Sequence, residues 1–375
     1  MALWRALLSR QTSATPPEVT PGACLPAPSR HCGRCVAVCP AGAITLADAP
    51  HVDASACLGC GLCASVCPAD ALHCGGVADL LRAASLREDR STLALACSGA
   101  PAGPETDTDA PVIRIPGCLS ALGVETLAAL AASGVTALVL PANACAACEC
   151  GDHGKRLRDA ALLLDQLAPG ALTITQAPAA RGKAARAPRD ASDPALSRRA
   201  LLRQFAPRKT AATTPRPLLL PAAGEGEDKQ PPARRRLLHA ALERLCATSA
   251  PQETAPGEAP SHIAPVSAIT VSRTCTACGA CARACPTGAL CMTTQSGAFR
   301  LEHEPWQCIG CGLCRRTCLP KSLTVTPGPP ALLAAPARLL ASGELATCKR
   351  CGAVFAGADG PLCPLCARRA NGDRL

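Results

Sequence analysis

Cys57-Leu-Gly-Cys60-Gly-Leu-Cys63-Ala-Ser-Val-Cys67-Pro68 sets three cysteines two residues apart, a fourth three residues further on, and a proline after it. The pattern returns as Cys275-Thr-Ala-Cys278-Gly-Ala-Cys281-Ala-Arg-Ala-Cys285-Pro286 and as Cys308-Ile-Gly-Cys311-Gly-Leu-Cys314-Arg-Arg-Thr-Cys318-Leu-Pro320. A shorter version, Cys32-Gly-Arg-Cys35-Val-Ala-Val-Cys39-Pro40, has Ser29 in the slot of its first cysteine. The text after the runs also repeats: Ala41-Gly-Ala-Ile44, Ala69-Asp-Ala-Leu72 and Thr287-Gly-Ala-Leu290. The chain therefore contains an internal duplication, one copy within residues 24–80 and the other within 266–330. The spacing has a geometric reading. Three thiolates on a tight loop cap three corners of one inorganic cluster, and the fourth, carried into a helical turn, points toward a neighbouring one. Glycines such as Gly59, Gly61, Gly279, Gly310 and Gly312 let the backbone approach and offer N–H donors to sulfur.

Of 375 residues, 28 are cysteine, while Phe, Trp and Tyr number 3, 2 and 0. So few aromatics leave little to fill large cores, and so many thiols need a partner. A disulfide framework would require export. The stretch Met1–Arg10 has arginines inside its apolar residues, so no signal peptide is expected. Ala128–Leu140, the longest apolar region, is too short to span a bilayer. The reading is a cytoplasmic chain without a transmembrane segment, whose reduced thiols hold metal.

The two repeats resemble bacterial two-cluster [4Fe-4S] ferredoxins over residues 24–75 and 273–325, and that resemblance implies crossed ligation. One cluster of the second pair then takes Cys275, Cys278, Cys281 and Cys318, and its neighbour takes Cys308, Cys311, Cys314 and Cys285. In the first pair Cys57, Cys60, Cys63 and Cys39 complete one cluster. The other has Cys32, Cys35 and Cys67 and needs a fourth ligand. Cys24, within ~26 Å of chain, is the expected one, with Ser29 or a three-iron cluster as alternatives. Cys74 and Cys291, on the strands after their motifs, read as small buried residues beside the clusters.

Residues 90–180 alternate strand and helix. Leu93–Cys97, Val112–Cys118, Val135–Leu140 and Ala171–Thr175 read as strands, and Gly123–Ser133 and Lys155–Leu167 as helices, which predicts a small parallel sheet. The cysteines fall at its carboxyl ends, where such sheets place ligands. On Cys97, Pro116-Gly-Cys118-Leu-Ser and the turn before Gly151-Asp-His-Gly154, this segment is similar to the iron–sulfur delta subunit of methyl-viologen-reducing hydrogenases. That family carries a two-iron cluster there, which implies a further [2Fe-2S] site among Cys97, Cys118, Cys145, Cys148 and Cys150. Ala100 and Asn143 stand where the family has further cysteines.

Cys348-Lys-Arg-Cys351 and Cys363-Pro-Leu-Cys366 form two knuckles that offer four thiolates to one ion. Zinc is expected in residues 340–375, with a rubredoxin-like iron as the alternative. Residues 1–23 read as an N-terminal arm. Residues 181–265 read as a basic Ala/Pro/Arg-rich linker that contains two short helical stretches, Ser197–Phe205 and Arg234–Leu245. Its 181–245 part has 15 Lys+Arg against 6 Asp+Glu, nearly all of the chain's net +10. A solvated linker or a docking patch for an acidic partner both fit; the lack of interleaved aromatics argues against nucleic acid.

The fold class expected is α+β and multi-domain: two dicluster domains, a small parallel α/β domain between them, and a zinc-ribbon-like knuckle. The function expected is a four-cluster electron relay in or to an oxidoreductase complex, with a redox donor and acceptor as partners. An iron–sulfur assembly or sensory protein is the alternative. No nucleotide loop, nucleophile elbow or H-E-x-x-H motif is found, so no catalytic residue is expected.

Overall fold

The computed structural model describes residues 15–25, 32–85, 91–97, 112–140, 148, 154–176, 189–190, 229–247, 266–356 and 360–370. The chain divides into two compact units. The first comprises Met1–Ala222 and Ala233–Ile263, and the second Ala223–Pro232 and Ala264–Leu375. Among the described residues, no helix is long and apolar enough to cross a membrane.

In the first unit, two one-turn helices, α1 (Arg34–Val38) and α2 (Leu62–Val66), each begin in a cysteine loop. Strand β1 (Glu18–Val19) pairs antiparallel with β4 (Leu72–His73), and β2 (Ile44–Leu46) with β3 (Pro50–Val52). These strands are short because they close over cysteines rather than over a large apolar core. The buried cluster is Cys35, Ile44, Cys63, Ala64 and Leu72.

After α3 (Val77–Ser85) the architecture changes to a parallel sheet. Strands β5 (Thr92–Ala96), β6 (Val112–Arg114), β7 (Ala137–Leu140), β8 (Thr173–Gln176) and the short β9 (Arg189–Asp190) run in the order β8-β7-β5-β6-β9. Helix α4 (Val124–Ala132) is apolar on nearly every side, and all nine of its residues are buried, as an all-round apolar helix requires. It packs against α5 (Gly154–Leu167) and, more extensively, against α6 (Ala233–Cys246).

Helix α6 departs from the linker reading. Its Arg234-Arg235-Arg236 start looks solvated in sequence, yet Arg235, Leu237, Leu238, Ala241 and Leu242 are buried. They recur at the spacing of one helical face, and that face is α4's cover. The other helix expected in this segment, Ser197–Phe205, lies outside the described residues.

In the second unit, β10 (Ser267–Val271) pairs with β13 (Leu323–Pro327) across the one-turn helices α7 (Ala280–Ala284) and α8 (Leu313–Thr317). Strands β11 (Leu290–Gln295) and β12 (Ala298–His303) form a two-residue hairpin. Both turn residues, Ser296 and Gly297, have positive φ, the conformation whose twist matches such a hairpin. Strand β14 (Arg338–Thr347) pairs with β12 on one side and with β15 (Val354–Ala356) on the other. The C-terminal knuckles and helix α9 (Pro364–Ala370) are therefore joined by one sheet to the second repeat, and not appended as a free tail.

Candidate metal centres

Each of the four cysteine runs ends in the same device. Three residues past the last cysteine the backbone is left-handed: Gly42, Asp70, Gly288 and Lys321 have φ of 61°, 50°, 73° and 52°. In the first repeat the turn aims the following N–H back at sulfur. Ala43 N–H donates to Cys39 Sγ at 3.3 Å and Ala71 N–H to Cys67 Sγ at 3.2 Å. Gly59 N–H donates to Cys57 Sγ at 3.4 Å from within its own loop.

The second repeat contains two cavities. Cys275, Cys278, Cys281 and Cys318 line one, with Met292, Phe299 and Leu301. Cys285, Cys308, Cys311 and Cys314 line another, with Ile269 and Thr287. Each cavity thus collects one of the two crossed sets that the spacing implies. Burial pushes the Cys281 thiol up to about 11 and the Cys314 thiol up to about 12, and neighbouring cysteines add to both shifts. Thiols in such surroundings keep their protons unless a cation replaces them. The donor set is all sulfur, which suits iron–sulfur clusters.

The first repeat shows the same division through which thiols face one another. Burial raises Cys35 to about 11, with the thiols of Cys67, Cys32 and Cys24 alongside adding to it. Cys24 is likewise raised by burial, then by Cys67 and Cys32. So Cys24 stands among the three cysteines that lack a fourth partner; Ser29 lies outside the described residues. Cys57 is raised by burial and faces Cys63, Cys60 and Cys39.

Two further cysteines behave unlike each other. Cys74 packs against the buried cluster that holds Cys63, and Cys60 and Cys57 lie beside it. Cys291 is exposed on β11. Cys74 lies seven residues past its motif and Cys291 six. One residue along a strand reverses the face. The residue at seven in the second repeat is Met292, which does line the cavity.

Next to the first repeat, the loop after β6 closes on the Cys60 turn. Cys118 N–H donates to Cys60 O at 3.0 Å. A Cβ on Gly117 would meet the carbonyl oxygens of Gly59 and Cys60, each at 3.0 Å. Only glycine permits that approach, and its φ of +87° is one that side chains rarely adopt. Cys97 directly follows β5 and packs with Ala96 against Val112 and Leu119. Cys148 is half-buried, and Cys145 and Cys150 lie outside the described residues.

Arg234, at the start of α6, reaches the Cys67 turn. Its Nε donates to Asp70 Oδ1 at 2.6 Å, its backbone N–H to Asp70 Oδ2 at 2.9 Å, and its Nη2 to Cys67 O at 2.6 Å. Nη1 pairs with Glu125 Oε1 at 3.2 Å. Burial opposes the charge on Arg234, but Asp70 and Glu125 outweigh it and hold the guanidinium above its ordinary range. Burial wins at Glu125, whose carboxyl is raised despite Arg234. The sequence carried no local sign of this contact, because its members are 164 and 109 residues apart.

At the C-terminus, Cys348, Cys351, Cys363 and Cys366 bring their sulfurs within 4.8 Å of one another. Among the described residues they are the one group of three or more His, Cys, Asp or Glu to do so. Cys351 Sγ and Cys363 Sγ are 3.7 Å apart. Four thiolates ~2.3 Å from one ion lie about 3.8 Å apart, so the site has the dimensions for a single ion. Backbone N–H groups of Cys363, Cys351 and Arg350 draw Cys348 down to about 6. Burial, followed by the other three sulfurs, pushes Cys366 up to about 12. Phe355 packs against Cys348, Cys363 and Cys366 and shields them from water.

Residues 30–71 and 274–321 each match the 4Fe-4S dicluster domain family. The chain carries two such domains. The matched segments include all four cysteine runs and stop short of the parallel sheet and the C-terminal knuckles. No curated protein matches the chain.

Proposed function

We propose that the protein is an electron relay with four [4Fe-4S] clusters, serving a soluble oxidoreductase complex. The observation that carries this is the pair of cavities in the second repeat, each lined by one crossed cysteine set. Two cavities sharing one small core bring two one-electron centres into close range. By the same arrangement, Cys24, Cys32, Cys35 and Cys67 hold one cluster of the first repeat, and Cys39, Cys57, Cys60 and Cys63 the other. When bound, the clusters supply reversible one-electron transfer at potentials set by charge, hydrogen bonds to sulfur and exposure.

The chain's own part is to hold and tune. The left-handed turns aim N–H groups at Cys39 and Cys67, and Phe299, Leu301 and Leu323 give the cavity around Cys318 an apolar wall. Zinc in the C-terminal site would fix β15 and α9 to the sheet of the second repeat. A hydrogenase-type complex is the setting proposed, on the resemblance read from Cys97, Pro116-Gly117-Cys118 and the turn before Gly151.

Anaerobic metal analysis tests the reading. About sixteen irons with equal sulfide, and one zinc, are expected. Two extra irons would add the cluster of the middle cysteines. Dithionite should reduce the protein and an added acceptor should reoxidise it; clusters that do not cycle would sink the relay.

A further inference from the structure

The Cys67 and Cys318 turns hold the same place in the two repeats and have opposite surroundings. In the first, Ala64, Val66 and Asp70 are buried, and Arg234 covers the Cys67 carbonyl. In the second, the matching positions are Arg315, Thr317 and Lys321, with Arg316 in place of Ser65 and Leu319 in place of Pro68. Arg315, Arg316 and Lys321 are exposed, and Leu319 is 84% exposed. Among the described residues, the three cationic side chains have no ion-pair partner. The surplus charge follows the same division. Residues 266–375 carry 12 Lys+Arg against 5 Asp+Glu, and residues 1–180 carry 11 against 15. Outside the 181–245 segment, a near-neutral sum therefore hides two halves of opposite sign.

We infer that the Cys318 turn is a docking surface for an acidic redox protein, with Leu319 as the apolar contact and Arg315, Arg316 and Lys321 as its cationic rim. An apolar centre with a charged rim is how transient interfaces are built, and unpaired cations steer an anionic partner to it. Leu319 directly follows a cysteine assigned to a cluster, so a partner seated on it meets the backbone of that ligand. Arg315, Arg316, Leu319 and Lys321, the exposed residues of this turn, include no aromatic on which a base could stack. This inference rests on the relay reading.

The test uses the full chain, reduced anaerobically by dithionite and mixed with hexacyanoferrate(III). Each anion takes one electron from a reduced cluster and becomes hexacyanoferrate(II), with no bond made or broken. The rate should fall about tenfold between low and high salt. Arg315→Glu/Arg316→Glu should lose that salt dependence, slow the anion by about the same factor and speed hexaammineruthenium(III). Arg368→Glu/Arg369→Glu, the same charge change on α9, should leave the rates near wild type. Arg315→Gln/Arg316→Gln, with unchanged iron content, guards against misfolding. Polyglutamate should slow the wild type and not the Arg315/Arg316 variants. Equal effects from both arginine pairs, or none from either, would overturn the docking surface. Competition by oligothymidylate at lower concentration than polyglutamate would overturn the acidic protein as its occupant. A wild type that dithionite cannot reduce condemns the relay reading instead.

Discussion

The two repeats share a cysteine pattern and a turn, yet one turn is sealed and the other open. Asp70 and Lys321 occupy equivalent left-handed positions. Asp70 is 8% exposed and locked by Arg234, whereas Lys321 faces solvent. The cysteines decide where the sulfur ligands gather. The residue three positions later decides whether that corner is packed into the protein or offered outward.

Substitution of a crossed ligand should break the comparison most severely. Cys318→Ala should remove the cluster of Cys275, Cys278 and Cys281, about four irons, and leave that of Cys308, Cys311 and Cys314. Iron counting together with the electron paramagnetic resonance of the reduced protein separates the two outcomes. Loss of the cluster in its own run instead would refute crossed ligation.

Arg234→Ala comes next. Removing one partner of a buried ion group leaves Asp70 and Glu125 uncompensated, at about 3–5 kcal/mol, to be read as a lowered midpoint in denaturant for the first unit. Gly117→Ala should cost about 1–3 kcal/mol, since the methyl must displace the Cys60 turn. Its reading is faster cluster loss in air from the first repeat alone. Lys321→Ala should be the mildest, within about 0.5 kcal/mol of wild type. A Lys321 effect as large as that of Arg234 would erase the contrast between sealed and open turns.

The C-terminal site adds a dependence on pH. Binding needs four thiolates, and Cys366 is pushed up to about 12 while Cys348 is drawn down to about 6. Binding therefore releases protons, and metal retention should weaken as pH falls. Release of zinc to a chromogenic chelator across a pH series measures it.

The cysteine runs of the two dicluster domains were legible because covalent spacing marks them; three thiols two residues apart admit few geometries. The strands and helices of residues 90–180 were legible for a related reason. An apolar run such as Val124–Ala132 has no stable place except inside. Helix α6 was hidden: its three arginines look solvated until Asp70 and Glu125 are brought beside Arg234. Cys74 and Cys291 were alike in sequence, and one residue of register along a strand parted them. The charge of residues 266–375 was overlooked because it cancels against that of residues 1–180 when the two are added.

The pairing of β14 with β12 has a consequence for anyone who would cut this chain. A fragment ending before Arg338 would keep every cysteine of the second dicluster domain but strip the cover from Ala298–His303. That strand holds Phe299 and Leu301, 4% and 1% exposed in the intact chain. It would become a bare sheet edge, and bare edges recruit other chains. Such a fragment should gather into aggregates in spite of its intact ligands, so the knuckle domain is also a guard against self-association.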